Sequence, residues 1–322
     1  MKSLLRVLLA ALPLMVPVSA IAQGTWPQKQ VRIVVPFPPG GSNDTLCRIV
    51  ADKLSTAWSQ PVVIDNKAGA NGNVGAETVF RADPDGYTLL CSAPGPLSIN
   101  HNLYKSLPYD WSKFVPITVL AQVPNVISAR SDLPANSAAE LIAYGKANPG
   151  KLQYASQGNG STSHLSAEML ASMTGLSMVH VPYRGEGPAL IDLVAGRVDI
   201  YLGNIAGALR FRQSQQLKFL AVTSRTRSPV APDVPSAVEI GLPDLVATAW
   251  FALAAPSGTP DAVIETINKA VATALALPEV REKFLQQGAE PVGRSSADTA
   301  SFFKEEEARW RAVIRSANVK LE

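Results

Sequence analysis

The stretch with the clearest chemical character is residues 36–45, Pro-Phe-Pro-Pro-Gly-Gly-Ser-Asn-Asp-Thr, between a β-branched run at 31–35 and a helix expected to begin near Thr45. Gly41 supplies a turn, and Ser42, Asn43 and Asp44 offer N-cap choices, so backbone N–H groups point past the helix start. Such an end attracts anions through unpaired donors and its dipole. Residues 154–165, Tyr-Ala-Ser-Gln-Gly-Asn-Gly-Ser-Thr-Ser-His-Leu, repeat the idea. Strand-like residues around Ser156 run into Gly158 and Gly160, and the hydroxyls of Ser161, Thr162 and Ser163 stand at the next helix start. Taken alone, each segment also fits an ordinary capped connection. As a pair, one in each half of the chain, they could face each other across a cleft at the carboxyl ends of strands, where open α/β sheets bind ligands.

Neither loop contains Lys or Arg, so an anion there is expected to rest on neutral donors and helix dipoles, with Arg184 the nearest candidate cation. That favours a carboxylate over a multiply charged phosphate ester. Arg184 lies in a third loop, 180–188, which offers Tyr183 as an apolar wall with a hydroxyl tip and leads into a helix at Pro188.

Other chemistries fit less well. Residues 68–75 place glycines three apart before a helix, but they do not spell a dinucleotide fingerprint, and no phosphate-binding P-loop motif occurs. Close helix packing at Gly72 and Gly75 is the simpler reading. Ser161 and His164 invite a hydrolase interpretation, yet no nucleophile elbow is present, and a serine at a helix start usually caps it. His164 reads better as a cleft-lining or supporting donor. His101, His164 and His180 are dispersed, without metal-ligand spacing. No catalytic residue, cofactor or metal is therefore expected, and the charged run 304–307 reads as a solvated helix face.

The elements that must position these loops alternate. Runs at 31–35, 62–64, 87–91, 179–181, 198–202 and 217–222 read as short buried strands. Between them Leu46, Ile49, Val50 and Leu54 repeat at helical spacing, as do Leu165, Met169, Leu170 and Met173. This alternation predicts a mainly parallel α/β sheet. After residue 260 the chain turns helical, ending in an amphipathic piece with Phe302, Phe303, Trp310 and Ile314. Two apolar strand-like segments, 117–129 and 245–254, bound the middle third and read as crossovers. The expected division is lobe 1 from 23–124 plus 246–322, and lobe 2 from 125–245, a clamshell with a two-strand hinge.

Residues 1–22 carry Lys2 and Arg6, an apolar run broken by Pro13 and Pro17, and an Ala20-Ile21-Ala22 cleavage pattern, the layout of a secretory signal. No later run is long and apolar enough to span a membrane. The net charge of +3 is spread without a basic stripe, so no nucleic-acid partner is expected. The two cysteines, Cys47 and Cys91, could form one bridge in an oxidising compartment, but spacing leaves the pairing open.

The blocks 33–44, 61–72, 82–89, 154–165 and 181–185, with Trp250 ahead of 255–260, resemble in their order the tripartite tricarboxylate transporter receptor family, the Bug-type extracytoplasmic solute-binding proteins. The resemblance covers essentially all of the chain after residue 22. It implies a two-lobe periplasmic-binding-protein fold of type II-like form, with a carboxylate gripped between lobes partly through backbone amides and water. Carried onto this sequence, it implies Phe37 as an apolar wall, Gly41, Ser42 and Asn43 as first-loop donors, and Gly160, Ser161 and Thr162 as second-loop donors. Asp44 would orient the first helix or meet a polar ligand group, and Ala93 and Asn204 would line the cavity. The implied partners are a small carboxylate and a two-subunit membrane permease, or a sensor domain in the alternative role, with the receptor itself a periplasmic monomer.

Overall fold

The β-branched runs become strands because their buried faces pack against helices on both sides of one sheet. The computed structural model describes residues 26–319, so the expected signal segment 1–22 lies outside the described residues. Strand β1 (Val31–Val35) pairs in parallel with β2 (Val62–Asn66) and β3 (Thr88–Ser92). A sixteen-residue strand, β4 (Val115–Arg130), crosses the whole molecule. In the other half, β5 (Leu152–Ser156) pairs in parallel with β6 (Met178–Pro182) and β7 (Ile200–Asn204). β8 (Leu217–Val222) and β7 flank β4 antiparallel, β9 (Thr248–Ala255) joins β3 to β4, and the two-residue β10 (Glu290–Pro291) also pairs with β4. The sheet order is β2-β1-β3-β9-β4-β7-β5-β6.

β4 changes partners along its length. Val115 to Pro124 pair with β9, whereas Asn125 onward pairs with β7. Proline has no N–H to give a ladder, so Pro124 suits the residue where one sheet partner ends. Just beyond it Asn125 N donates to Ala247 O (3.2 Å), Ala247 N to Thr223 O (2.9 Å), and Thr223 N to Asn125 O (2.8 Å). Two lobes joined by crossover strands follow from this exchange, with the crossovers near the segments read from sequence.

The helices are α1 (Ser42–Trp58), α2 (Asn73–Phe80), α3 (Ala138–Ala147), α4 (Thr162–Thr174), α5 (Glu186–Val194), α6 (Ile205–Gln213), α7 (Asp261–Ala276), α8 (Pro278–Gln286) and α9 (Ser296–Ser316). α1 starts at Ser42, earlier than the spacing suggested, because Gly41 takes the N-cap position and the Asp44 carboxylate folds back onto Gly40 N at 2.9 Å. Cys47 of α1 and Cys91 of β3 are joined by a disulfide. Gly72 and Gly75 are packing glycines: a Cβ on Gly75 would lie 2.6 Å from Pro36 Cβ.

The run 304–307 departs from the solvated-face expectation. Lys304 and Glu305 are exposed, but Glu306 and Glu307 are buried on the stripe that carries Phe302, Phe303 and Trp310. Helical spacing puts the two acids on the apolar face, where they are retained by donors: Glu306 takes Trp250, Arg309 and Trp310, and Glu307 takes His101, Asn102 and Arg311.

Candidate ligand site

The carboxyl ends of β1 and β3 in one lobe, and of β5 and β7 in the other, open onto one interlobe region. It contains a cleft of about 550 Å³, lined by Phe37, Asn71, Gly158, Tyr183 and Arg184 among others. Behind it lies a cavity of about 50 Å³, lined by Gly41, Ser42, Asn43, Asp44, Ala93 and Asn204, together with Gln157 and Glu186. Phe37 and Gln157 line both spaces. Phe37, Gly41, Ser42, Asn43, Asp44, Ala93, Tyr183 and Asn204, all singled out from sequence, thus meet here, together with the candidate cation Arg184. Ser156, Gly160, Ser161, Thr162 and His164 line neither space.

The first turn is held from several sides. Asp44 accepts from Gly40 N, Arg48 and Asn66 Nδ2, so it orients the loop rather than facing the cleft. Burial alone would raise its pKa, but the bonds from Arg48, Gly40 and Asn66 outweigh that and hold it below the usual carboxylate range. Asn43 Nδ2 donates to Cys91 O at 3.0 Å, which ties the turn to the end of β3. No side chain of its own caps α1. Instead Ser42 N (2.8 Å) and Ser42 Oγ (2.7 Å) both donate to Glu186 Oε2, reaching across from the other lobe.

The sequence expectation of free amides at the second turn does not hold. Gln157 N donates to Ser163 Oγ (2.8 Å), Gly158 N to Ser156 Oγ (3.1 Å) and Gly160 N to His164 Nδ1 (3.1 Å). Ser161 Oγ donates to Gly158 O at 2.6 Å and accepts from His164 N, capping α4. The loop is rich in short hydroxyl side chains, and these satisfy its own backbone before any guest arrives. His164 is buried, stacked on His180 at 4.1 Å between centroids, and Ser161 Oγ is engaged with the loop rather than with the imidazole. Burial first, then the neighbouring His180, push the His164 pKa down to about 3; burial takes His180 down to about 4. Both rings are neutral supports.

The loop that faces the first turn is the third, not the second. A Cβ on Gly185, whose φ is +112°, would come 2.9 Å from Pro38 Cδ. The second loop packs elsewhere on lobe 1: a Cβ on Gly160 would meet Leu103 Cδ1 at 2.7 Å. Tyr183 presents its ring to the cleft, while its hydroxyl donates to Asp192 Oδ2 at 2.8 Å. Sequence reasoning missed Glu186, Gln157 and Tyr201. Glu186 had one local signal, an acid between Gly185 and Gly187 at a helix entrance. Tyr201 had none, because its hydroxyl meets Gln157 Nε2 (2.6 Å) only after β5 and β7 are brought together.

Two α/β lobes, crossover strands and a cleft at the strand ends define a solute-binding receptor of the periplasmic-binding-protein class. Residues 46–319 match the model of the Tripartite tricarboxylate transporter family receptor, and the chain belongs to that family. It is 38% identical over 307 residues to Protein BugT of Bordetella pertussis, covering 95% of this chain and 93% of that one. The solved structure of R. palustris Rpa4515 with adipate is 38% identical, with a TM-score of 0.90 over 92% of this chain and 99% of that chain. MatC (Rpa3494) from Rhodopseudomonas palustris with bound malate is 34% identical, with a TM-score of 0.85 over 90% of this chain and 100% of that chain. Family and neighbours are receptors rather than enzymes. No helix among the described residues is long and apolar enough to cross a membrane.

Proposed function

We propose that this receptor captures one small organic carboxylate in the interlobe cleft and delivers it, lobes shut, to a tripartite transporter with two integral membrane subunits. The observation that carries the reading is the cleft between Phe37 and the Tyr183–Arg184 loop, in a chain whose relatives at more than one-third identity hold adipate and malate. Arg184 is exposed at its rim and supplies positive charge where the guest enters. Phe37, the turn 41–44, Ala93, Tyr183 and Asn204 line the guest's surroundings, joined by Gln157, Arg184 and Glu186. Ser156, Gly160, Ser161, Thr162 and His164 act one step back, shaping the second loop. The lobes run 23–124 plus 246–322 and 125–245, and the protein works as a monomer in the periplasm after removal of residues 1–22. The Cys47–Cys91 bridge suits that oxidising compartment.

A thermal-shift panel of di-, tri- and aromatic carboxylates and amino acids tests the proposal. Ligand at about 100 times its dissociation constant adds about 2.7 kcal/mol of stability and raises the melting temperature. No shift with any member of the panel would remove the carboxylate reading. Mass spectrometry of small molecules released on denaturing the purified protein identifies the natural guest directly.

A further inference from the structure

Glu186 occupies the place where the first turn would otherwise receive an anion. Its Oε2 accepts from both Ser42 N and Ser42 Oγ, so the N-terminus of α1 is already met by a carboxylate that belongs to the protein. The fold leaves room for this group. A Cβ on Gly207 would come 2.3 Å from Glu186 Cδ, and the ideal Cβ position at Gly41 stands 3.6 Å from Oε2. Glu186 is 7% exposed, and burial, opposed by the Ser42 bonds and the charge of Arg210, pushes its pKa up.

The second oxygen carries the rest of the inference. Glu186 Oε1 is buried without a hydrogen-bond partner, and so is Asn204 Oδ1 on the same small cavity. The Tyr201 hydroxyl accepts from Gln157 Nε2 at 2.6 Å and turns its own hydrogen toward the Glu186 carboxyl. Apart from that hydroxyl and the uncommitted Asn204 amide, the inner end of the site presents the Glu186 carboxyl and Asn204 Oδ1 as acceptors. A carboxylate brought there would meet the like charge of Glu186, and two carboxylates in one desolvated site do not both stay ionised. An ammonium, amide or hydroxyl would instead supply the missing donors, and a site built around such bonds rejects analogues that lack them.

We infer that Glu186 is a specificity-determining residue that restricts the guest to an acid with a single carboxylate and a hydrogen-bond donor at its other end. The donor end faces Glu186 and Asn204, and the carboxylate faces the outer cleft near Arg184. This rests on the proposed carboxylate-binding function and narrows it, separating this chain's guests from diacids.

Matched pairs of equal length test it by titration calorimetry: ε-aminocaproate against adipate, γ-aminobutyrate against succinate, and p-aminobenzoate against terephthalate. The wild-type protein is expected to bind the amino member of at least one pair about tenfold or more tighter than the diacid. Glu186→Gln, which keeps the shape and removes the charge, is expected to shrink that ratio by about the same factor. Equal or tighter binding of the diacids by the wild type overturns the inference while leaving the carboxylate reading in place. So does an unchanged ratio in a Glu186→Gln protein whose circular dichroism is native. If that variant does not fold, the wild-type ratio decides. Binding of no carboxylate at all, in these pairs or in the wider panel, overturns both.

Discussion

The indole nitrogens of Trp250 and Trp310 donate to one and the same oxygen, Glu306 Oε2, at 2.8 and 3.0 Å. Trp250 belongs to β9 and Trp310 to α9, so this single buried atom joins the last helix to a crossover strand. Arg309 adds two further bonds to the same carboxylate. Glu306→Ala strands two buried N–H donors and leaves Arg309 without its acid, a loss of about 3–5 kcal/mol. Glu306→Gln keeps one acceptor oxygen and loses less. Urea denaturation of the three proteins checks the order; an alanine variant within about 0.5 kcal/mol of wild type would show that the shared oxygen is not a structural anchor.

Glu306 also marks where reading the sequence stops. The strands at 31–35 and 217–222 were legible because β-branched runs between turn residues have few other uses, and the crossovers were legible as apolar strands at the edges of the middle third. The first turn was legible as a helix entrance. Its occupant was not, because Ser42 and Glu186 are 144 residues apart in sequence and meet only through the contact between lobes. The second turn was misread for a different reason. Its serines resemble donors awaiting a guest, but Ser156, Ser163 and His164 close on the loop's own amides, a choice that depends on side-chain rotamers and leaves no trace in spacing. The buried acids of α9 look like surface charge until the two indoles that need them are in place.

The Cys47–Cys91 bridge closes a loop with a sequence separation of 44, holding the start of α1 against the end of β3. Chain entropy for a loop of that length gives a stabilisation of about 4 kcal/mol. The double variant Cys47→Ala/Cys91→Ala is therefore expected to lower the urea midpoint strongly, and reduction of the wild type should do the same. A midpoint unchanged by both treatments would mean that the bridge does not constrain the unfolded chain.

At Gly75 two effects compete, and magnitude decides the sign. Alanine in a helix is normally favoured over glycine by about 1 kcal/mol. Here the new Cβ would lie 2.6 Å from Pro36 Cβ, 2.8 Å from Pro36 Cα and 3.0 Å from Lys67 O, two of them backbone atoms that cannot swing aside. Overpacking of this kind costs about 1–3 kcal/mol, so Gly75→Ala is expected to destabilise. Because Pro36 leads directly into Phe37, the same variant should also weaken ligand binding. Calorimetry showing higher stability with unaltered affinity would refute the close approach of α2 to this loop.

The histidine stack gives the protein an acid-sensitive lobe. Tyr154, His180 and His164 lie ring on ring, with Glu168 Oε1 4.0 Å from His164 Nε2 and Ser156 Oγ 2.7 Å from His180 Nε2. Burial depresses both imidazoles, from an ordinary 6.5 to about 3 and about 4. The unfolded chain therefore binds more protons than the native one below pH 6.5, and the stability these groups contribute is present above that value and is lost as pH falls through the window toward the native values. One to two protons of difference give a slope of roughly 1.4–2.7 kcal/mol per pH unit. Glu186 acts with the opposite sign: burial raises its native pKa, so its contribution declines as pH rises past the ordinary carboxylate range. The double variant His164→Asn/His180→Gln retains an amide in place of each imidazole and cannot titrate. Urea midpoints measured from pH 7 to pH 4.5 should fall steeply for the wild type and much less for the double variant. Parallel curves would show that the acid sensitivity arises elsewhere.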